Sequence, residues 1–141
     1  MIRRATASDA RGVFGLMSAY VRPVWTEAQV STALTDESCD VFVADEDGST
    51  VGYIVLENVL DEGCVSSIAV STDHRRRGIA RALFETAIAA RRPASVYLEV
   101  NEHNSGAIAF YGSLGFVKAG ERKKYYGEDS AFIMRRERAD I

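Results

Sequence analysis

The sequence predicts a single α/β domain over residues 1–141, with a mixed central sheet of about six or seven strands flanked by about four helices. Three observations predict it. The segments Cys39–Asp45, Val51–Leu60 and Cys64–Val70 are apolar, separated only by turn residues, and read as an antiparallel meander. The hydrophobic period then changes: Ile79, Ala80, Leu83, Phe84, Ala87 and Ile88 recur at three and four residues, the signature of an amphipathic helix. Behind that helix, Val96, Leu98 and Val100 alternate with Tyr97, Glu99 and Asn101 in a strand. Strand, helix and strand in this order imply a parallel pair joined by a right-handed crossover.

Taken in order, residues 2–6 alternate weakly and suit a short first strand. Ser8 is placed to cap a helix running to about Tyr20, with Val13, Leu16, Met17 and Tyr20 on one side and Pro23 ending it. Thr26 and Gln29 have capping-box spacing ahead of Val30, Ala33 and Leu34, so a short second helix ends near Asp36. Asp47-Gly48 turns the first long strand into the second, and Asp61-Glu62-Gly63 turns the second into the third. The long helix stops near Arg91 to Pro93. Asn104 or Ser105 starts the next helix, which holds Ala107, Ile108, Phe110, Tyr111 and Leu114. Gly115 stands where a helix C-terminus calls for a left-handed residue. Phe116 and Val117 begin a strand, residues 118–130 are polar, and Ala131–Met134 is the last strand.

Composition narrows the function. Lys and Arg number 17 against 20 Asp and Glu, so a strongly basic nucleic-acid binder is not expected. Two cysteines, Cys39 and Cys64, make no disulfide framework, and His74 and His103 look isolated, so no metal site is expected. Neither a signal-peptide region nor a membrane-length apolar run is present, and the expectation is a cytoplasmic protein, monomer or homodimer.

The best chemical signal is Arg75-x-x-Gly78-x-Ala80, between a strand and a helix. Small residues at 78 and 80 let backbone N–H groups approach an anion closely. The first-turn amides of a helix have no intrahelical partner, and with the helix dipole they make a cradle for pyrophosphate. Arg75, Arg76 and Arg77 add positive charge at its rim. The plainer alternative is a basic, solvated helix start. The glycines of a dinucleotide fingerprint and the Lys-Ser/Thr pair of a P-loop are missing.

The segment Ile68-Ala69-Val70-Ser71-Thr72-Asp73-His74-Arg75-Arg76-Arg77-Gly78-Ile79-Ala80-Arg81 resembles the acetyl-CoA motif of the GCN5-related N-acetyltransferases (GNAT family), Gln/Arg-x-x-Gly-x-Gly/Ala, without a gap. A second block, Leu98-Glu99-Val100-Asn101 through Asn104, Ala109-Phe110-Tyr111 and Leu114-Gly115-Phe116, resembles that family's bacterial ribosomal-protein-alanine N-acetyltransferases, the RimI group. Lys124-Tyr125-Tyr126, Ala131–Met134 and Pro23-Val24-Trp25-Thr26 extend the likeness over nearly the whole chain. The resemblance implies a GNAT-like fold and acetyl transfer from acetyl-CoA to an amine, with no metal. It implies that Ile68, Ala69 and Val70 face acetyl-CoA and its pantetheine arm, and that amides from Arg76 through Gly78, Ile79 and Ala80 to Arg81 bind the pyrophosphate.

Direct attack of an amine on a thioester needs a base for the amine, a polarised carbonyl and a proton for the departing thiolate. Glu99 is unusual in the middle of an apolar strand, and by parity it points away from the side chains of Leu98 and Val100. It reads either as a salt-bridged surface carboxylate or, as the resemblance implies, as the general base, directly or through a water. Tyr111 is either a core aromatic or, by resemblance, the acid that protonates the sulfur. Asn104 reads as a helix cap and, by resemblance, as a hydrogen-bond partner of the cofactor arm.

Tyr125 and Tyr126 are a strand-edge pair or acceptor contacts; Trp25 is a packing residue or a border of the acceptor groove. Asn101 stands where the subgroup commonly has Arg and is a further acceptor-side candidate. His74 and His103 read as exposed turn residues, and Cys64 lacks a visible activating partner. The expected acceptor is the N-terminal α-amine of a protein such as a ribosomal protein. The alternative, motivated by Asn101 and by Met17-Ser18-Ala19-Tyr20, is a small amine, a polyamine or a lysine side chain. A non-catalytic acetyl-CoA binder is disfavoured by the presence of both Glu99 and Tyr111. A nucleic-acid module is disfavoured by the lack of an aromatic stacking platform.

Overall fold

The computed structural model describes residues 1–21 and 24–138. Its elements are β1 (Ile2–Arg4), α1 (Ala10–Tyr20), α2 (Glu27–Thr35), β2 (Cys39–Glu46), β3 (Ser49–Val59), β4 (Glu62–Val70), α3 (Ile79–Arg91), β5 (Ser95–Asn101), α4 (Ser105–Ser113), β6 (Val117–Tyr126) and β7 (Asp129–Glu137). The strands hydrogen-bond in the order β1-β2-β3-β4-β5-β7-β6. The expected mixed sheet and four helices are present. By its contacts the chain divides into two compact units: Met1–Val59 with Val65–Arg92, and Leu60–Cys64 with Pro93–Ile141.

In the first unit, β1, β2 and β3 are antiparallel neighbours. Val13 and Met17 of α1, Val30 and Ala33 of α2, Val41 and Val43 of β2, and Tyr53 and Val55 of β3 form one buried cluster. The intervening strand residues point to the opposite face. There, α3 comes so close to β3 that a Cβ on Gly52 would lie 3.2 Å from Leu83 and 3.3 Å from Ile79. Because both faces are covered, β2 and β3 read as nearly continuous apolar runs. Two polar residues of these strands are buried, Asp40 and Asn58, and the Asn58 Nδ2 donates to Asp40 at 3.1 Å; Asp40 also pairs with Arg91, at the end of α3, at 2.7 Å and with Arg4 at 3.0 Å. Burial pushes its carboxyl up, but the two guanidinium groups outweigh burial and hold it below the usual carboxylate range. Asp9 is likewise held low, chiefly by the hydrogen bonds from Arg3.

In the second unit, Glu62–Cys64 pair in parallel with Ser95–Tyr97, as the crossover reading requires. β5 runs antiparallel to β7 along its whole length, and β7 pairs with β6. Leu98, Val100, Leu114, Phe116, Ala131 and Met134 are buried here. Gly115 takes φ +95°, the left-handed conformation expected after α4.

Four sequence expectations change. The first helical segment starts with a 3₁₀ turn at Ala7–Asp9, and Thr6, not Ser8, precedes it; the Thr6 amide donates to the Asp9 carboxylate at 2.7 Å. Tyr20 is exposed instead of joining Val13 and Met17 in the core. The turn after β3 is Leu60-Asp61, with Leu60 at φ +55°, so Glu62 and Gly63 already belong to β4. Finally, most of the polar stretch 118–130 is strand: β6 runs to Tyr126 and β7 begins at Asp129. β6 ends the strand order and is exposed along almost all of its length, so it carries no apolar alternation to read. Pro23 lies outside the described residues; α1 ends at Tyr20, with the Val21 amide bonded to the Met17 carbonyl at 2.9 Å. No helix among the described residues is long and apolar enough to cross a membrane.

Candidate active site

The arginine–glycine turn of the first unit is built from backbone. Arg76 (φ +63°) and Gly78 (φ +77°) are both left-handed, and α3 begins immediately after Gly78. Alternating left-handed residues turn successive N–H groups into a concavity suited to an anion. The Ala82 amide donates to the Gly78 carbonyl at 3.0 Å, so the helix ladder starts there and the amides of Ile79 and Ala80 precede it. A Cβ at Gly78 would meet nothing within 4 Å, so the need for glycine is the positive φ, not crowding.

Arg75 is exposed but anchored by two contacts. Its Nε donates to the Val70 carbonyl at 3.1 Å, and its guanidinium lies 5.0 Å from the Tyr20 ring centroid. The Tyr20 hydroxyl in turn accepts from the Thr72 amide at 3.1 Å. Arg77 pairs with Glu46 at 3.2 Å, and Arg81 with Glu85 at 3.8 Å. Val70 is buried at the end of β4, while Ile68 and Ala69 are half-buried. Trp25 packs against the core cluster of this unit, which agrees with its packing reading. The turn therefore has the left-handed backbone, the donors and the positive charge that a pyrophosphate needs.

The second unit contributes a face built from side chains. On β5, Tyr97, Glu99 and Asn101 project to one side. Glu99 pairs with Arg122 of β6, Nε to Oε1, at 3.1 Å; the Glu99 side chain is 19% exposed and that of Arg122 57%. The Arg122 guanidinium also sits 5.4 Å from the Tyr125 ring centroid. Tyr125 and Tyr126 meet edge to face at 5.0 Å, with Tyr125 49% exposed and Tyr126 half-buried. Burial pushes the Tyr126 phenol up, and the neighbouring Glu99 carboxylate adds to the rise. Beside Glu99, the Tyr97 phenol is pushed up first by Cys64, its register partner, then by burial and by Glu62 and Glu99. Glu99, Arg122, Tyr125 and Tyr126 thus come together on one face, with Glu99 salt-bridged and the two tyrosines paired at the end of the edge strand β6.

Asn101 is engaged at both ends of its amide. Its Nδ2 donates to Asp129 at 3.1 Å, and its Oδ1 accepts from the His103 amide at 2.9 Å. Asn104 caps α4, with Oδ1 accepting from the Ala107 amide at 3.1 Å, as expected. Tyr111 is buried, with ring centroids 5.4 Å from Phe110 and 5.7 Å from Phe116. Neither histidine is isolated, contrary to the sequence reading. His74 Nδ1 is 3.0 Å from the Ser71 hydroxyl, and His103 Nε2 is 3.4 Å from Asp129 and 3.9 Å from Glu102. The second contact arises because β7 returns beside the turn after β5, which no local spacing reveals. Sequence reasoning missed Arg122 and Tyr97 altogether; parity with Glu99 along β5 was the signal available for Tyr97.

A family model for the acetyltransferase (GNAT) domain matches residues 37–118. The [ribosomal protein bS18]-alanine N-acetyltransferase of Escherichia coli (strain K12) is 39% identical over 100 residues, covering 66% of this chain and 68% of that protein. The N-alpha-acetyltransferase RimI of Mycobacterium tuberculosis is 33% identical over 123 residues, covering 82% of this chain and 77% of that protein. Among solved structures, the ribosomal-protein-S18-alanine N-acetyltransferase from Escherichia coli superposes with a TM-score of 0.89 at 29% identity, covering 100% of this chain and 95% of that one. The chain belongs to the GNAT acetyltransferase family and is an acetyl-CoA-dependent N-acetyltransferase.

Proposed function

We propose that this chain, acting as one N-acetyltransferase domain, acetylates the N-terminal α-amine of a protein, with Glu99 as base and Tyr111 as acid. The observation that carries the acceptor class is the form of the Glu99 face. A half-exposed aromatic pair and an arginine stand beside the carboxylate, and further acidic groups are tied up: Glu102 accepts from the Ser130 amide at 2.6 Å and Asp129 from Asn101. A polyamine site needs a closed acidic pocket, whereas a peptide needs an open surface with aromatic and hydrogen-bonding partners. The curated relatives named above act on the alanine α-amine of ribosomal protein bS18 or are named N-alpha-acetyltransferases, which supports the same reading.

Acetyl-CoA supplies an activated acetyl thioester. The backbone amides of Arg76 to Arg81 hold its pyrophosphate, with Arg75, Arg76 and Arg77 adding charge, and the edge formed by Ile68, Ala69 and Val70 aligns its arm. Asn104 uses Oδ1 for its cap and its side-chain N–H groups for the arm. Glu99 takes the proton from the acceptor ammonium, directly or through a water. An α-amine, with a reference pKa near 8 against about 10.4 for lysine, is the easier group for one carboxylate to deprotonate. The Tyr111 phenol gives its proton to the departing sulfur. Tyr125, Tyr126 and Asn101 border the acceptor.

The test is an acceptor panel with acetyl-CoA, read out by free-thiol release: peptides with free N-termini, the same peptides N-terminally blocked, and polyamines. Turnover confined to peptides with free N-termini is expected. Turnover with polyamines alone would replace the peptide reading with a small-amine one.

A further inference from the structure

Resting on the reading of Glu99 as base, we infer that Arg122 is its positioning residue: it holds one carboxylate oxygen so that the other meets the acceptor amine. The register brings the pair together across a whole strand. Glu99 is paired with Ile133 of β7 and Asn101 with Ala131, while on the other side of β7 Gly120 is paired with Ile133 and Arg122 with Ala131. Directly opposed residues in antiparallel strands share a face, so Glu99, Asn101, Ala131, Ile133, Gly120 and Arg122 all lie on one side. Of the two β7 residues between the partners, Ala131, directly beside Arg122, is small and fully buried, and Gly120, beside Ile133, has no side chain. A long guanidinium can therefore lie across β7 and reach Oε1 of Glu99 at 3.1 Å.

Stability does not account for this arrangement. An ion pair whose arginine is 57% exposed is screened by water and adds little to stability. What it supplies is orientation. Three rotatable bonds separate the glutamate backbone from its carboxylate, and catalysis by a base depends on holding the accepting oxygen within hydrogen-bond reach of the proton. Arginine stays charged and presents a rigid donor fork, so it can hold Oε1 while leaving Oε2 for the amine. The stack on Tyr125 holds the guanidinium from its other side, at 5.4 Å, and links it to the aromatic pair proposed to contact the acceptor.

The experiment is a double-mutant cycle in steady state, with a peptide acceptor, on the wild-type chain, Arg122→Ala, Glu99→Gln and the double variant, with Arg122→Lys as the conservative rescue. Arg122→Ala is expected to lower kcat about tenfold, with the KM for acetyl-CoA and the melting temperature unchanged. Arg122→Lys should recover part of that loss. The double variant should be no slower than Glu99→Gln alone, because a positioning residue has nothing to position once the base is gone. A merely structural Arg122 would give losses that multiply, and that result overturns the proposal. So does wild-type kcat in Arg122→Ala while Glu99→Gln is slow. Wild-type turnover in Glu99→Gln instead overturns the base assignment itself, which keeps the two failures apart. Arg122→Gln, neutral but long, serves as the second variant if Arg122→Ala melts early.

Discussion

The turn of the first unit and the face of the second are built in different ways. The turn is backbone: two left-handed residues, a helix start, and amides whose direction is set within a few residues of sequence. The face is side chain: Glu99, Arg122, Tyr125 and Tyr126 come from two strands separated by a third, and meet only through the registers of both pairings. Binding an invariant pyrophosphate suits the first kind of site, since backbone donors are indifferent to most substitutions. Deprotonating an amine and receiving a variable acceptor suit the second, since only side chains supply a base, an acid and a shaped border.

This difference predicts that the two regions fail differently. The largest effect belongs to the second unit. Tyr111→Phe keeps the ring packed against Phe110 and Phe116 but removes the proton donor, so kcat should fall about 100-fold for every acceptor with acetyl-CoA affinity unchanged. Turnover near the wild-type rate would remove Tyr111 as the acid. The next effect belongs to the turn. Ala80→Asp puts a carboxylate among the first-turn amides, and calorimetry should show acetyl-CoA binding weakened by at least about tenfold. At saturating acetyl-CoA its kcat should recover; a kcat that stays low would mean the turn takes part in chemistry and would break the contrast.

The smallest expected effect touches neither site. Arg91→Ala strips buried Asp40 of one of its two cations and should cost about 2 kcal/mol of stability in urea melts while leaving kcat unchanged. Asp40 and Asp9 are both held below the usual carboxylate range in the folded chain. Their contribution is therefore fully present above the ordinary carboxylate pKa of about 4 and is lost as pH falls through the lower folded values. Wild-type stability should drop on acidification below about pH 4, and by less in Arg91→Ala, whose Asp40 is already partly uncompensated. Equal acid sensitivity in the two proteins would contradict the assignment.

The same contrast explains what could be read from residues alone. Thr26 with Gln29, Asp47-Gly48, Gly78 and Gly115 each act through neighbours in sequence, and the structure places all four as expected. β2 and β3 were legible because burial on both faces makes continuous apolar runs, and α3 because its single buried face repeats at three and four residues. β6 was hidden because an exposed edge strand needs no such period, and Arg122 was hidden with it. The cap slipped from Ser8 to Thr6 because Asp9 offers its carboxylate to the Thr6 amide and pairs with Arg3, a partner on β1 that helix patterning ignores. At the site, the turn could be read from six consecutive residues; Glu99 could be singled out by its oddity in an apolar strand, but its ion pair could not.

The central claim is that acetyl is delivered to an α-amine at the Glu99 face. It is tested most directly with one peptide that carries both a free N-terminus and an internal lysine, incubated with acetyl-CoA and the wild-type chain, the acetyl group then being located by fragmentation mass spectrometry. A product acetylated at the N-terminal nitrogen, with the lysine untouched, is the result expected. Acetyl on the lysine side chain with the N-terminus free would contradict the claim.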